Sequence, residues 1–181
     1  YELQPLAHGT IALASALAVA YIYGLKPSIL AKLYIDTWRR MRYAILTVME
    51  VLGLAFLMNY TGLSLTLGYT LSYIGLLYPI LSGFIGWIGT FVSGSETGSN
   101  ALFGNLQKMA AEMMGITPYI TTSLNAAGGV LGKMVSLQSI AVGLSAVGLE
   151  GGEDVIMRRL IGYSLALTSI LGLIAYLTIL A

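Results

Sequence analysis

The chain of 181 residues contains no cysteine and a single histidine. Without cysteine it forms no disulfide, carries no thiolate nucleophile and offers no cysteine ligand to a metal. His8 has no second histidine nearby, so we predict neither a metal site nor a cofactor. A phosphate-binding Walker loop and a nucleophile elbow are also missing from the sequence. These absences favour a protein that is not an enzyme, and we predict no catalytic residues.

Charge is scarce as well. Only 9% of the residues are charged and 57% are hydrophobic, whereas soluble domains average about 25% charged residues. The net charge of +1 leaves no basic stripe to neutralise phosphates, so nucleic acid is not an expected partner. Long runs lack Asp, Glu, Lys and Arg altogether, at residues 51–95, 113–132, 134–149 and 160–181. Because a spanning helix needs about 20 apolar residues, the sequence predicts an all-α, multi-spanning integral membrane protein in a lipid bilayer.

We interpret the chain as a single transmembrane transport domain over residues 1–181. Its predicted segments are 6–23, 43–60, 63–78, 80–114, 117–149 and 160–181. The third is either a short span or a helix along the interface that ends before Pro79. Residues 24–42 are predicted to be a basic loop on the cytoplasmic side, where loops rich in Lys and Arg lie. Because the chain starts at Tyr1 without an initiator methionine, we expect it to be a fragment of something longer.

Two of these segments are too long for one straight crossing. Residues 80–114 number 35, which is about 50 Å of helix against a hydrocarbon core of about 30 Å. We predict a break in the Gly/Ser/Thr cluster at 93–99, with a second helix from about Ala101 and Asn100 as its N-cap. Residues 117–149 are predicted to break at 125–129 and on through 133–136. The pattern is typical of a re-entrant hairpin followed by a broken helix.

A broken helix at membrane depth points to a cavity, because its freed backbone groups must face protein or water rather than lipid. A helix that starts at Asn100 would present free N–H groups to an anion such as a small carboxylate. Asn100 and Gln107 also share one stripe of that helix, which is predicted to face solvent or another helix.

Five charged residues lie within these apolar segments. Glu96 is either a proton carrier or a structural acid bonded to neighbouring N–H groups, and Glu50, in the second segment, is its rival as the proton site. Lys133 either pairs with a substrate carboxylate, or reaches the interface or neutralises Glu96. Lys108 and Glu112, four residues apart, are predicted to form a solvated pair at a helix end.

Three long motifs resemble the C-terminal part of the L-lactate permease family: LGLAFLMNYTG at 52–62, SGSETGSNALFGNLQ at 93–107 and NAAGGVLGKMVSLQSIAVG at 125–143. The resemblance implies proton-coupled uptake of L-lactate and related 2-hydroxy-monocarboxylates such as glycolate across the plasma (inner) membrane. It further implies one repeat of an inverted-repeat, ion-transporter-superfamily-like fold, with the other half of the transporter as a partner. Family members more often carry Asp where Glu96 stands and Pro where Leu137 stands.

The leading hypothesis places the substrate at the two predicted breaks. Ser99, Asn100 and the helix start would bind the carboxylate, Glu96 would carry the proton, and Thr97, Asn125 and Gln138 would be available for the hydroxyl. The remaining candidate substrate-binding residues are Gly128, Gly129 and Lys133. The alternatives are a passive anion channel, another organic-anion permease and a non-transporting scaffold; an intramembrane enzyme is least favoured. The residues leave H⁺ and Na⁺ coupling both open.

Overall fold

The computed structural model describes residues 8–149 and 151–180, and this part of the chain is helical throughout its regular structure. The helices are α1 (His8–Ile22), α2 (Pro27–Tyr60), α3 (Leu63–Ser72), α4 (Tyr78–Ser93), α5 (Glu96–Met113), α6 (Pro118–Lys133), α7 (Leu137–Ala146) and α8 (Glu153–Leu180), with a short 3-10 turn at Gly75–Leu77 before α4. The chain divides into two compact units after Thr47. The all-α prediction is confirmed.

The first unit contains α1 and the N-terminal part of α2. The predicted basic loop at 24–42 is wrong, because α2 starts at Pro27 and continues through Arg39 and Arg40. Proline suits the first position of a helix, where its missing N–H would have no partner anyway. The start of the predicted segment 6–23 and the side chain of His8 lie outside the described part of the structure.

Several helices meet the requirements of a membrane span. Pro27–Tyr60, Gly75–Ser93 and Glu153–Leu180 are long and apolar enough to cross, and the bent pair α6 and α7 would add a fourth crossing. Helix α3 has 10 residues, or about 15 Å, and is too short to span about 30 Å of hydrocarbon. Helix α8 starts at Glu153, before the predicted segment 160–181 begins, so Arg158 and Arg159 lie in the helix. These helices indicate a membrane protein.

The core of the second unit is formed by α4, α5 and α6. Ser82 contacts Thr121 and Gly86 contacts Asn125, so α4 and α6 run parallel, whereas α5 runs antiparallel to both. A side chain at Gly128 would collide with the backbone carbonyl of Gly83, and one at Gly86 with that of Asn125. Small residues of this kind let helix backbones touch in a membrane protein.

Helix α8 closes the other side of α4. The indole Nε1 of Trp87 donates to Ser164 Oγ at 2.7 Å, and that hydroxyl donates to the Leu131 carbonyl at 2.6 Å. Ser164 is buried, and its two hydrogen bonds connect α8 to both α4 and α6. Gly172 lies against the backbone of Ile80, so α8 runs antiparallel to α4 along its length.

The predicted hairpin is present, but its tip is shorter than 93–99. Gly94 ends α4 in the left-handed conformation, with φ of 67°, and its N–H donates to the Thr90 carbonyl at 2.7 Å. Ser95 is the N-cap of α5, because its Oγ accepts the Gly98 N–H at 3.1 Å. The prediction that Asn100 is the N-cap is therefore wrong. It lies one turn inside α5.

The second break also lies later than predicted. Residues 125–129 are helical, because Gly128 and its neighbours are held against α4 and the helix continues to Lys133. The break is confined to residues 134–136. Its last residue, Ser136, is the N-cap of α7 and accepts the Ser139 N–H. Helices α6 and α7 are bent by 45° at this point. A broken element is thus present, with its break after Lys133.

Candidate functional site

The two breaks lie side by side in the second unit. Because α4 and α6 are parallel, their C-terminal ends lie together, and α5 and α7 begin at the same end. Gly94 lies so close to Gln138 that any side chain at position 94 would collide with the Gln138 amide. The N-termini of two helices therefore meet at one place, which we call the paired breaks (residues 94–95 and 134–136). Helix N-termini carry partial positive charge and favour anions.

Glu96 is the first residue of α5 and is half-buried at the paired breaks. Its Cγ lies 3.4 Å from the point that a Cβ on Gly129 would occupy, so the side chain faces α6. An acid in the first turn stabilises a helix by about 0.3–1 kcal/mol. Among the described residues, the one ion pair within 4 Å joins Lys108 and Glu112 at 3.7 Å. The predicted solvated pair is confirmed, and Glu96 has no cation of this part of the chain at that distance.

The hydroxyl of Thr90 is the one buried side-chain polar atom in the described residues that lacks a hydrogen-bond partner. Thr90 is 0% exposed, and an unpaired buried hydroxyl costs about 1–3 kcal/mol. The Gly86 carbonyl, one turn earlier on α4, accepts from Ser99 Oγ at 3.0 Å. Thr90 Oγ1 instead lies 2.9 Å from the Cβ point of Gly129. The unpaired Thr90 hydroxyl and the Glu96 side chain thus both border the space that a side chain on Gly129 would fill.

A buried polar network connects α4, α5 and α6 beneath this point. Gln107 Oε1 accepts from the Tyr78 hydroxyl at 2.6 Å and from Ser82 Oγ at 2.8 Å. Gln107 Nε2 donates to the Ser82 carbonyl at 3.0 Å and to Asn125 Oδ1 at 3.2 Å. Asn125 Nδ2 donates to Asn100 Oδ1 at 2.8 Å. The network holds no charged group, and it ends at the half-buried Asn100.

The predicted site residues fall into two groups. The polar atoms of some are already hydrogen-bonded within the protein, and those of others are partly exposed. Ser99 is fully buried and its hydroxyl is used by the Gly86 carbonyl, and both ends of the Asn125 amide are used within the network. Gly128 serves the contact between α4 and α6. Side chains at or near the paired breaks with part of their surface exposed are Glu96, Thr97, Asn100, Lys133 and Gln138.

Two charged residues that were predicted as site candidates, Glu50 and Lys133, are exposed and lie outside the buried polar network. Glu50 is exposed on α2 and has no described hydrogen bond. Lys133 is exposed in the last turn of α6, where a cation interacts favourably with the helix dipole. The sequence did not predict a role for four buried polar residues: Tyr78, Ser82, Thr90 and Thr121. The three Thr and Ser residues give no local signal, because Thr and Ser in a membrane helix usually bond to their own backbone.

A family model described as L-lactate permease matches residues 2–180 of the chain. The L-lactate permease of Bacillus subtilis (strain 168) is 39% identical over 178 residues, which is 98% of this chain and 32% of that protein. The glycolate permease GlcA of Escherichia coli (strain K12) is 37% identical over the same share of both chains. The L-lactate permease of Escherichia coli (strain K12) is 40% identical over 94% of this chain and 31% of that protein.

The chain spans about a third of the length of these curated relatives. No solved structure matches it. The relatives are named as permeases, which are transporters and not enzymes.

Proposed function

We propose, because this chain belongs to the L-lactate permease family, that it is part of a transporter for L-lactate and related 2-hydroxy-monocarboxylates such as glycolate. The transporter moves the substrate together with protons across the plasma membrane, and the rest of the protein supplies the other half of the site. The observation that carries the proposal is the match over residues 2–180 to a family whose relatives are named for lactate and glycolate.

The substrate carboxylate binds at the paired breaks, where the N-terminus of α5 and the amide of Asn100 are partly exposed. Two features support this placement. Broken helices in transporters occur where backbone lines a wet cavity, and half-helix N-termini there point at anionic groups. Asn100 also has an Nδ2 group without a partner among the described residues. Thr97 and Gln138 are exposed beside the same breaks and are available to the substrate hydroxyl.

Glu96 couples the proton to the substrate. An ionised Glu96 occupies the α5 N-terminus with negative charge and repels a second carboxylate there. A protonated Glu96 leaves the positive helix end free for the substrate. The proton and the anion then bind together, so that each raises the affinity for the other. The unpaired hydroxyl of Thr90 offers the protonated carboxyl a partner across Gly129.

The test is uptake of labelled L-lactate by the full-length transporter in proteoliposomes. We expect an inwardly directed proton gradient to drive lactate above its equilibrium level without Na⁺. A passive anion channel would only equilibrate lactate, and a sodium symporter would respond to a sodium gradient alone. Either of those results would contradict proton coupling, and an absence of lactate uptake would contradict the substrate assignment.

Replacing Lys133 by glutamine tests whether this cation pairs with the substrate. Lys133 lies one turn after Gly129, beside the paired breaks, and no carboxylate of the described residues lies within 4 Å of it. We expect Lys133→Gln to raise the KM for lactate about tenfold or more, because a lost charge-assisted hydrogen bond costs about 1.5–3 kcal/mol. Lys133→Arg keeps the charge and should stay near the wild-type KM. An unchanged KM in Lys133→Gln would mean that this lysine only reaches the interface.

A further inference from the structure

The orientation of the Gln107 side-chain amide is determined by a backbone carbonyl. The Ser82 carbonyl can only accept, and it lies 3.0 Å from Gln107 Nε2. The reversed amide would place Oε1 against that carbonyl, oxygen against oxygen, and would give up the hydrogen bond that Oε1 accepts from the Tyr78 hydroxyl. Only one orientation satisfies both the Ser82 carbonyl and the Tyr78 hydroxyl, which belong to fully buried residues.

The orientation of the Gln107 amide determines the orientation of the next amide in the network, that of Asn125. The second N–H of Gln107 Nε2 points at Asn125, so the Asn125 atom that faces it is the acceptor Oδ1, at 3.2 Å. The donor Nδ2 of Asn125 then faces Asn100, whose nearest amide atom must be the acceptor Oδ1, at 2.8 Å. Asn125 is 0% exposed, so water does not compete for these bonds.

The last amide in the series lies at the edge of the site. With Oδ1 of Asn100 held by Asn125, its Nδ2 is left without a partner among the described residues, on a side chain that is half-buried. An amide that turned freely would present either a donor or an acceptor. Here only the donor is turned outward.

We propose that Gln107, Asn125 and Asn100 form an amide relay that holds a hydrogen-bond donor at the site and thereby favours a carboxylate, whose two oxygens both accept, over a neutral amide of the same shape, which accepts at one end only and must be bound in one orientation. Asn100 contacts the substrate, and Gln107 and Asn125 are positioning residues that act through it. The inference rests on the proposed function, since it assumes that the paired breaks bind lactate. It adds a source of specificity that involves no charged side chain.

The test compares L-lactate with L-lactamide, in which an amide replaces the carboxylate. In the full-length transporter, the KM for lactate uptake and the Ki of lactamide are measured for wild type and for Asn125→Leu. We expect Asn125→Leu to raise the lactate KM several-fold, and by no more than about tenfold, the loss expected for one whole hydrogen bond to a charged acceptor, with Vmax changed less than about twofold. Because the Asn100 amide is then free to turn, the ratio of lactamide Ki to lactate KM should fall.

Thr121→Val is the matched control. It lies one turn before Asn125 on α6, is equally buried, and loses a hydrogen bond to the Gln107 backbone carbonyl at 3.0 Å, which is not an amide-relay bond. We expect it to keep the wild-type ratio. If Asn125→Leu does not fold, Asn125→Ser shortens the side chain so that it no longer joins Gln107 to Asn100, and the same fall in the ratio is expected.

Two outcomes overturn the amide relay. In one, wild type transports lactate and the folded Asn125 variant keeps the wild-type KM and ratio, which leaves the proposed function intact. In the other, lactate and lactamide weaken by the same factor, as a general distortion of the site would cause. A wild-type protein that does not transport lactate would overturn the proposed function as well.

Discussion

We expect Glu96→Gln to abolish lactate accumulation driven by a proton gradient. For one proton per lactate, a gradient of one pH unit supports about tenfold accumulation, because one pH unit corresponds to about 1.36 kcal/mol. Glutamine keeps the size and polarity of the side chain at the start of α5 but cannot ionise, so the internal lactate concentration should not rise above the external one. Uptake of labelled lactate into proteoliposomes, measured at several imposed pH gradients, checks the prediction.

Lactate exchange distinguishes lost coupling from lost binding. Glutamine resembles a permanently protonated Glu96, so the variant should still exchange internal for external lactate at equal pH on both sides. Glu50→Gln is the matched control, because Glu50 is the rival candidate for the proton site and is exposed on α2. It should accumulate lactate as wild type does. If Glu50→Gln loses accumulation and Glu96→Gln retains it, the proton is carried by Glu50.

Replacing either of two adjacent glycines on α6 by alanine should have different effects, one on stability and the other on transport. At Gly128 a methyl group would collide with the backbone of Gly83, which cannot move unless α4 and α6 separate. At Gly129 the nearest atom is the Thr90 hydroxyl, 2.9 Å from the new Cβ, and a side chain can turn away. We expect Gly128→Ala to destabilise the protein by about 3 kcal/mol or more, the upper range for overpacking. Gly129→Ala should fold and instead impair proton-driven lactate accumulation.

Thermal unfolding of the purified protein in detergent measures the first effect, and proteoliposome uptake measures the second. Gly162→Ala is the control for glycine replacement in a helix, because no atom lies within 4 Å of its Cβ point. It should unfold at the wild-type temperature or slightly above it, since alanine favours helix by about 1 kcal/mol over glycine. Equal unfolding temperatures for Gly128→Ala and Gly162→Ala would contradict the close approach of α4 and α6.

Local signals predicted the hairpin and its tip. Gly94 and Ser95 stand in a short polar cluster within an apolar stretch that is too long for one crossing, and the break occurs there. The first residue of the next helix was predicted incorrectly, because both Ser95 and Asn100 are good N-cap residues. The left-handed Gly94 next to Ser95 decided between them. A glycine can end one helix and let the next begin within two residues.

The second break shows where local signals mislead. A run with two adjacent glycines favours a break when the helix is considered alone, since glycine is a poor helix former. Gly128 and Gly129 are nevertheless helical, because α4 lies against them and requires residues without side chains. Packing against a neighbouring helix outweighed propensity here, and the break moved to residues 134–136.

The order of the residues is enough to establish that the chain is an all-α membrane protein of the L-lactate permease family, because composition, charge-free runs and long motifs are properties of consecutive residues. Which polar groups remain available for a substrate depends instead on how the helices pack together. Ser99 and Asn125 are occupied, and Asn100 presents a donor, because of hydrogen bonds between residues on different helices. Thr90 has no hydrogen-bond partner among the described residues. A polar side chain is free or satisfied according to the helix that packs against it, and no local pattern specifies that partner.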